Sequence, residues 1–163
     1  MTNNDVLRRL RYAFDFDDSK MIAIFALADH EVTRAQVSDW LKKDEDPEMQ
    51  ELEDVELAIF LNGFINDRRG KKEGAQVEPE KRINNNIILR KLKIALDLQA
   101  EDILEILALK DMKISKHELS AFFRKPDNRH FRNCKAQILR NFIEGVQLMY
   151  RDDANKESKA NDH

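Results

Sequence analysis

The stretch that decides the fold is NIILRKLKIALDLQAEDILEILALKDMKISKHELSAFFRK at residues 86–125, because residues 4–43 repeat it. The earlier copy reads NDVLRRLRYAFDFDDSKMIAIFALADHEVTRAQVSDWLKK. The copies align without a gap, with Asn4 matching Asn86, and 12 of the 40 positions are identical. The register continues into FLNG at 60–63 and FIEG at 142–145. A self-match at a fixed offset indicates that one structural unit occurs twice.

In each copy, apolar residues recur at helical periodicity in about four segments, which predicts about four helices. The third helix has the clearest start, because TRAQ at 33–36 and SKHE at 115–118 place a hydroxyl cap three residues before Gln or Glu. The 4 Gly and 3 Pro leave little material for the turns of a β-sandwich or barrel. The sequence therefore predicts an all-α protein of two tandem, roughly four-helix domains. The predicted helix starts are the caps Asn4 and Asn86, then Ser19 and Glu101, then the caps Thr33 and Ser115, with the fourth helices at 55–67 and 136–149.

The repeat predicts the domain boundaries and the core. A first, acidic domain covers residues 1–69, and a second, basic domain covers 84–152. Residues 70–83 form a polar linker, and residues 153–163 are expected to form a disordered tail. Domains of this size bury only about 60% of their unfolded surface, so we expect the copies to support each other. The predicted core residues are Leu10, Phe25, Trp40, Phe60, Leu92, Leu107, Phe122 and Phe142.

Composition excludes several classes of protein. The single Cys among 163 residues excludes a disulfide framework and fits a reducing compartment. No apolar run approaches the roughly 18 residues that span a bilayer, and the N-terminus lacks the apolar region of a secretory signal. The sequence therefore predicts a cytoplasmic protein without a membrane partner. It contains none of the common phosphate-loop, dinucleotide, nucleophile-elbow or zinc-protease motifs, so no catalytic residue and no cofactor are predicted.

The net charge of −3 hides an asymmetry between the copies. Residues 4–70 carry a net charge of −7, and residues 81–152 carry +6. Two interpretations follow. The acidic and basic halves could attract each other, within one chain or between two chains. Alternatively, the second copy could present a basic face to phosphates.

Residues 24–43 and 106–125 resemble a helix-turn-helix. The second helix of such a motif reads DNA with polar residues near its start. However, the turn lacks the customary glycine and is longer than usual, so an ordinary helical corner is the alternative. The candidate reading residues are Arg34, Gln36 and Asp39 in the first copy and Lys116, His117 and Ser120 in the second.

Two further groups of residues raise chemical hypotheses that the spacing does not favour. His130 and Cys134 would share one face of a helix, but a structural zinc site needs four ligands and no second pair is available. The recurring Asp15/Asp97 and Asp29/Asp111 could act as acid–base carboxylates. Because they stand at predicted helix junctions, we expect them to cap the following helix or to bond the turn backbone.

The chain resembles the YehS-like bacterial proteins, a family of unknown function. The resemblance rests on NDVLRRLRY, FLNGFINDRRG, EPEKRINNNIILRKLKIALDLQAEDILEIL and PDNRHFRNC, and it covers nearly all of residues 1–152. It implies a cytoplasmic bacterial protein of two related helical domains with no established activity. It supplies no catalytic residues.

The sequence favours a non-catalytic binding or adaptor module that acts on a protein partner or associates with itself. The alternative is a nucleic-acid-binding protein that uses the basic second domain. No metal ligand is predicted in either case. The phosphate contacts predicted for the alternative are Lys116, Arg124, Lys125, Arg129 and Arg132.

Overall fold

The computed structural model describes the backbone of residues 1–161 and the side chains of residues 1–151. Within this range the protein is all-helical, as the sequence predicts, and contains no strand. The eight helices are α1 (Asn3–Phe14), α2 (Asp18–Leu27), α3 (Arg34–Leu41), α4 (Asp54–Arg69), α5 (Asn85–Ala95), α6 (Ala100–Ala108), α7 (Lys116–Ala121) and α8 (Ala136–Asn161).

Most helix starts agree with the capping signals. Thr33 caps α3 in a full capping box, and Ser115 caps α7 by accepting from the backbone N–H of Glu118. The predicted caps of the first helices are wrong. Thr2 caps α1 and Asn84 caps α5, which places the repeated asparagines at 4 and 86 inside the helices.

The last helix continues past its predicted end at Met149. The backbone of α8 is helical to Asn161. The stretch after Met149 contains neither proline nor glycine, so no residue type in it stops a helix. Residues 162 and 163, the end of the predicted tail, lie outside the described residues, and the disorder of that tail stays a prediction.

The repeated asparagines are buried hydrogen-bonding centres. Asn4 is 2% exposed and Asn86 is 7% exposed. The Asn4 amide donates to the carbonyls of Trp40 (3.0 Å) and Gln50 (2.8 Å), and its oxygen accepts from the Leu52 N–H (2.9 Å). Each amide thereby satisfies three backbone groups, one at the end of the third helix of its repeat and two in the loop that leads to the last helix. The Asn86 amide does the same with Phe122 (3.1 Å), Arg132 (2.8 Å) and Cys134 (2.9 Å).

The first helix of each repeat packs against the last helix of the other. The extensive helix contacts include α1 with α8 and α4 with α5, whereas α1 contacts α4 and α5 contacts α8 only slightly. Exchanging the two repeats leaves this arrangement unchanged, so they are related by a pseudo-twofold axis. One hydrophobic cluster runs through both repeats. The predicted core is confirmed, because all eight residues named for it are at most 7% exposed.

Polar pairs join the repeats at equivalent positions. Arg9 Nη1 of α1 lies 3.0 Å from Glu144 Oε1 of α8. At the equivalent position of the second repeat, Lys91 Nζ of α5 donates to Asn62 Oδ1 of α4 at 2.6 Å. Lys91 is 7% exposed, and Glu80 Oε1 of the linker lies 2.9 Å from its ammonium. The linker therefore supplies the carboxylate that the neutral Asn62 cannot.

The repeated aspartates occupy left-handed backbone positions. Such positions disfavour most side chains, and asparagine and aspartate tolerate them best after glycine. Asp15 ends α1, whereas Asp17 caps α2, so the expectation that Asp15 caps the following helix is wrong. Arg151 Nη1 lies 3.7 Å from Asp15 Oδ1, and Arg69 Nη1 lies 3.0 Å from Asp97 Oδ2 at the equivalent place. The φ angles are 54°, 58°, 53° and 56° for Asp15, Asp29, Asp97 and Asp111.

Glycine permits a close helix crossing in each repeat. A Cβ at Gly63 of α4 would lie 1.9 Å from the Ile24 carbonyl oxygen of α2, and a Cβ at Gly145 of α8 would lie 2.4 Å from that of Ile106. These distances are far below van der Waals contact. Only glycine allows α4 and α8 to pack this closely.

No helix in the described residues is long and apolar enough to cross a membrane.

We expect Gly63→Ala and Gly145→Ala each to lower the free energy of unfolding by about 2 kcal/mol or more, because the added methyl forces the crossing helices apart. Urea titration followed by circular dichroism measures the change. In an open helix the same substitution stabilises by about 1 kcal/mol. A gain in stability would therefore contradict the close crossing.

We expect Asn86→Ala to cost about 3 kcal/mol, because it removes two donors and leaves the buried Cys134 N–H without its acceptor. Asn85→Ala is the matched control, since the half-buried Asn85 makes one bond, to the Cys134 carbonyl at 2.9 Å. We expect the control to lose about 1 kcal/mol in the same urea titration. Equal losses would show that the buried amide has no special role.

Candidate nucleic-acid interface

The two repeats contain loops with the same backbone hydrogen bonds. We call residues 42–53, between α3 and α4, the acidic loop and residues 124–135, between α7 and α8, the basic loop. In the acidic loop, Asp46 N–H donates to the Lys43 carbonyl and Gln50 N–H to the Asp39 carbonyl. The basic loop repeats both bonds at the equivalent positions, and in each loop a side-chain oxygen, from Asp46 or Asn128, accepts a backbone N–H. The loops therefore share one conformation.

The charges on the two loops are opposite. The acidic loop has a net charge of −4 and the basic loop of +4. Because the same backbone forms in both repeats, the fold does not require either charge. The five cations of the basic loop are exposed, and none of them forms an ion pair within the described side chains. They are Arg124, Lys125, Arg129, Arg132 and Lys135.

A groove of about 580 Å³ adjoins the basic loop. Its walls come from the end of α5, the start of α6 and α7, and Arg124 belongs to both the groove and the loop. Lys93, Lys116 and Arg124 supply its positive charge, and the half-buried Phe123 lines it. The Lys93 ammonium lies 5.4 Å from the centre of the Phe123 ring, on its face. The groove thus combines an aromatic ring with three cations.

One carboxylate lies in the groove. Lys116 Nζ donates to Glu101 Oε1 at 2.6 Å, and both side chains are exposed. This hydrogen bond lowers the pKa of Glu101 below its ordinary value. Glu101 therefore stays ionised at neutral pH. Within the described side chains, Lys93 and Arg124 have no carboxylate in ion-pair contact, so the groove keeps a positive charge.

The equivalent surface of the first repeat is partly neutralised. Its matching cations are Arg11, Arg34 and Lys42, and Arg34 Nη1 lies 3.7 Å from Asp18 Oδ2. Lys42 Nζ lies 2.6 Å from Asp39 Oδ1 and 3.0 Å from Glu48 Oε2. Hydrogen bonds to these two carboxylates raise the pKa of Lys42 above its ordinary value. Two of these three cations are therefore paired with carboxylates, whereas in the groove of the second repeat only Lys116 is, within the described side chains.

The five predicted phosphate contacts are exposed residues of the groove and of the basic loop that adjoins it. Lys116 and Arg124 line the groove, while Lys125, Arg129 and Arg132 lie along the basic loop. The Asn86 amide holds the Arg132 carbonyl, so the loop is anchored at that point. Lys93 and Phe123 also line the groove, although neither is among the contacts predicted from the sequence. They lie 30 residues apart in the chain, and the contact of the Lys93 ammonium with the Phe123 ring arises only in the folded structure.

The helix-turn-helix prediction finds little support in the geometry. The turn between α2 and α3 has six residues and that between α6 and α7 has seven, whereas the motif uses three or four. The α7 helix itself has only six residues. In the first repeat, Gln36 completes the capping box of α3 and Asp39 pairs with Lys42. A helical corner, the alternative stated above, describes both segments better.

Comparison with known proteins gives a family. The model of a family described as "Protein of unknown function (DUF1456)" matches residues 3–70 and 85–152, which together cover most of the chain. The chain belongs to the DUF1456 family. It is 43% identical over 147 residues to the uncharacterised protein YehS of Escherichia coli (strain K12). The aligned region covers 90% of this chain and 94% of that protein. The chain matches no solved structure.

This DUF1456 chain does not arrange His130 and Cys134 as the spacing suggested. They lie in the loop before α8 rather than on one helix face, and His130 is exposed whereas Cys134 is buried. Within the described residues, no group of His, Cys, Asp or Glu is placed to hold a metal ion. Burial raises the pKa of the Cys134 thiol to about 11. The thiol is therefore protonated and weakly nucleophilic at neutral pH.

A second cavity, of about 280 Å³, lies between the repeats, where the ends of α1 and α4 meet the middle of α8. Phe14, Phe16 and Tyr150 line it, with the Phe14 and Tyr150 ring centres 4.9 Å apart. The Arg68 guanidinium lies 5.5 Å from the centre of the Tyr150 ring. Arg151, which also lines the cavity, pairs with Asp15. Its groups thus serve the contact between the repeats.

We expect Cys134 to react with iodoacetamide at pH 8 about a hundredfold more slowly in the folded protein than in guanidinium chloride, because the folded thiol contributes so little thiolate. Raising the pH toward 10 should accelerate the folded-state reaction about tenfold per pH unit. Mass spectrometry of the alkylated protein measures both rates. Equal rates in the folded and unfolded protein would disprove the burial of the thiol.

Proposed function

We propose that this DUF1456 protein is a non-catalytic nucleic-acid-binding protein that uses the basic loop and the adjoining groove of its second repeat. The observation that supports this is the pair of loops with one backbone and opposite charge. Since the fold tolerates either sign, folding does not account for five uncompensated cations. Phosphates are the partners that such a cluster of arginines and lysines binds best.

The ion pairs between the repeats favour an external partner. The pairs that cross the interface use Arg9, Arg69 and Arg151 as cations. Within the described side chains, no ion pair joins the acidic loop to the basic loop. Attraction between the two halves of one chain therefore leaves the basic loop unneutralised. The single cysteine, which is free and buried, supports the cytoplasmic location predicted from the sequence.

We expect the protein to bind random-sequence nucleic acid with an affinity that falls about a hundredfold or more between about 50 and 200 mM salt, as roughly five phosphate contacts require. Fluorescence anisotropy with labelled strands measures this. Arg129→Glu combined with Arg132→Glu should abolish binding at low salt. The matched control is Lys71→Glu with Lys72→Glu, which changes the net charge equally but lies in the linker.

Two results would overturn the proposal. One is the absence of any binding to DNA or RNA at about 50 mM salt. The other is an equal loss of affinity in the linker control, which would show that net charge alone matters.

A protein partner is the second candidate, and the acidic loop favours it. Glu45, Glu48, Glu51 and Glu53 are exposed there, on the same backbone that presents the cations in the second repeat. The acidic loop of one copy could thus meet the basic loop of another and form head-to-tail assemblies. Light scattering at low and high salt distinguishes this candidate. Salt-sensitive oligomers without nucleic-acid binding would favour it over our proposal.

A further inference from the structure

We infer that the groove beside the basic loop takes one nucleotide of a single strand, with the base on the Phe123 ring and the phosphates on Lys93, Lys116 and Arg124. This inference rests on the proposed function and assigns its binding site and strand preference. Stacking of bases on aromatic rings, together with a basic channel, is the general chemistry of single-strand binding. The volume of about 580 Å³ lies within the range of small-ligand sites.

Phe122 fills the core, whereas its neighbour Phe123 does not. Phe122 is 7% exposed and occupies the position of Trp40 in the first repeat. Phe123 is half-buried and occupies the position of the half-buried Leu41, so an aliphatic side chain serves the fold at this place. The aromatic ring is thus specific to the repeat that has the uncompensated cations.

The ammonium of Lys93 is placed to move between the ring and a phosphate. Within the described side chains it faces the Phe123 ring at 5.4 Å and has no carboxylate in ion-pair contact. An exposed cation–π contact is weak, about 0.5–1 kcal/mol. A phosphate therefore competes with the ring for the ammonium. When the ammonium moves from the ring to a phosphate, that face of the Phe123 ring becomes accessible to a base.

The position of the ring favours a single strand over a duplex. Phe123 lines a groove between three helices rather than standing on a protruding helix. A base reaches the ring face only when it is unstacked from its neighbours, which is the condition of loops and single strands. The short α7 and the long turn before it also lack the geometry that places a helix in the major groove.

Phe123→Leu is the central test, because it installs the residue type of the first repeat and keeps the apolar packing. We expect binding of oligo-dT or oligo-rU of about 12 nucleotides to weaken about tenfold, while binding of a duplex of the same length changes little. Phe16→Leu is the matched control, since Phe16 is a half-buried aromatic residue outside the basic loop that does not line the groove, and the second repeat has Leu98 at its position. We expect it to keep the wild-type affinity for single strands. Thermal unfolding verifies that both variants are folded.

Phe123→Trp gives a direct signal from the groove. The one native tryptophan, Trp40, is 4% exposed, so quenching by added strands reports mainly on the new residue. We expect this variant to bind single strands as the wild type does and to lose fluorescence as they bind. The DNA and RNA strands show which sugar the groove accepts.

The outcomes separate this inference from the proposed function. If Arg129→Glu with Arg132→Glu abolishes binding but Phe123→Leu leaves single-strand binding unchanged, the stacking site is wrong and the proposed function stands. Bound strands that do not quench Phe123→Trp lead to the same conclusion. If the wild-type protein binds neither strand nor duplex, both ideas fail.

Discussion

The side-chain amides of Asn4 and Asn86 support the rest of the structure. Each is buried and satisfies three backbone groups, one at the end of the third helix of its repeat and two in the loop that leads to the last helix, at nearly the same distances in both repeats. A buried polar group has to be hydrogen-bonded, and this one is bonded only when the loop adopts one conformation. The amide therefore links helix packing in the core to the shape of an exposed charged loop.

Fixing the loop backbone in this way leaves the loop side chains free to differ. The acidic and basic loops share their turns, yet their net charges are −4 and +4. Fold and binding properties are thus separate in this molecule. The core residues and the amide specify the scaffold, whereas the exposed side chains set the charge of each loop. This separation supports the proposal that the second repeat carries a binding surface for phosphates.

The first helix of each repeat packs on the last helix of the other, and this packing joins the two repeats into one folded unit. Because α1 packs on α8 and α5 on α4, neither repeat completes its own helix contacts. The interface combines apolar packing with equivalent polar pairs, such as Arg9–Glu144 and Lys91–Asn62. Glycine at 63 and 145 lets the last helices approach α2 and α6 closely. The groove is formed by side chains of α5, α6, α7 and the residues after α7, and the Asn86 amide anchors the basic loop at Arg132 and Cys134.

The sequence by itself determined the all-helical class, the repeat, the core residues and the capping of α3 and α7, because periodicity and capping are local properties of the chain. It also identified the cations of the basic loop, since surface charge follows composition. Only the tertiary structure showed that the repeated asparagines are buried rather than caps, because their partners lie far along the chain. Only the tertiary structure also showed that the first helix of each repeat packs on the last helix of the other. It likewise showed that Lys93, Lys116 and Phe123 line one groove. These features arise from contacts between distant segments, and neither spacing nor composition encodes which helix packs on which.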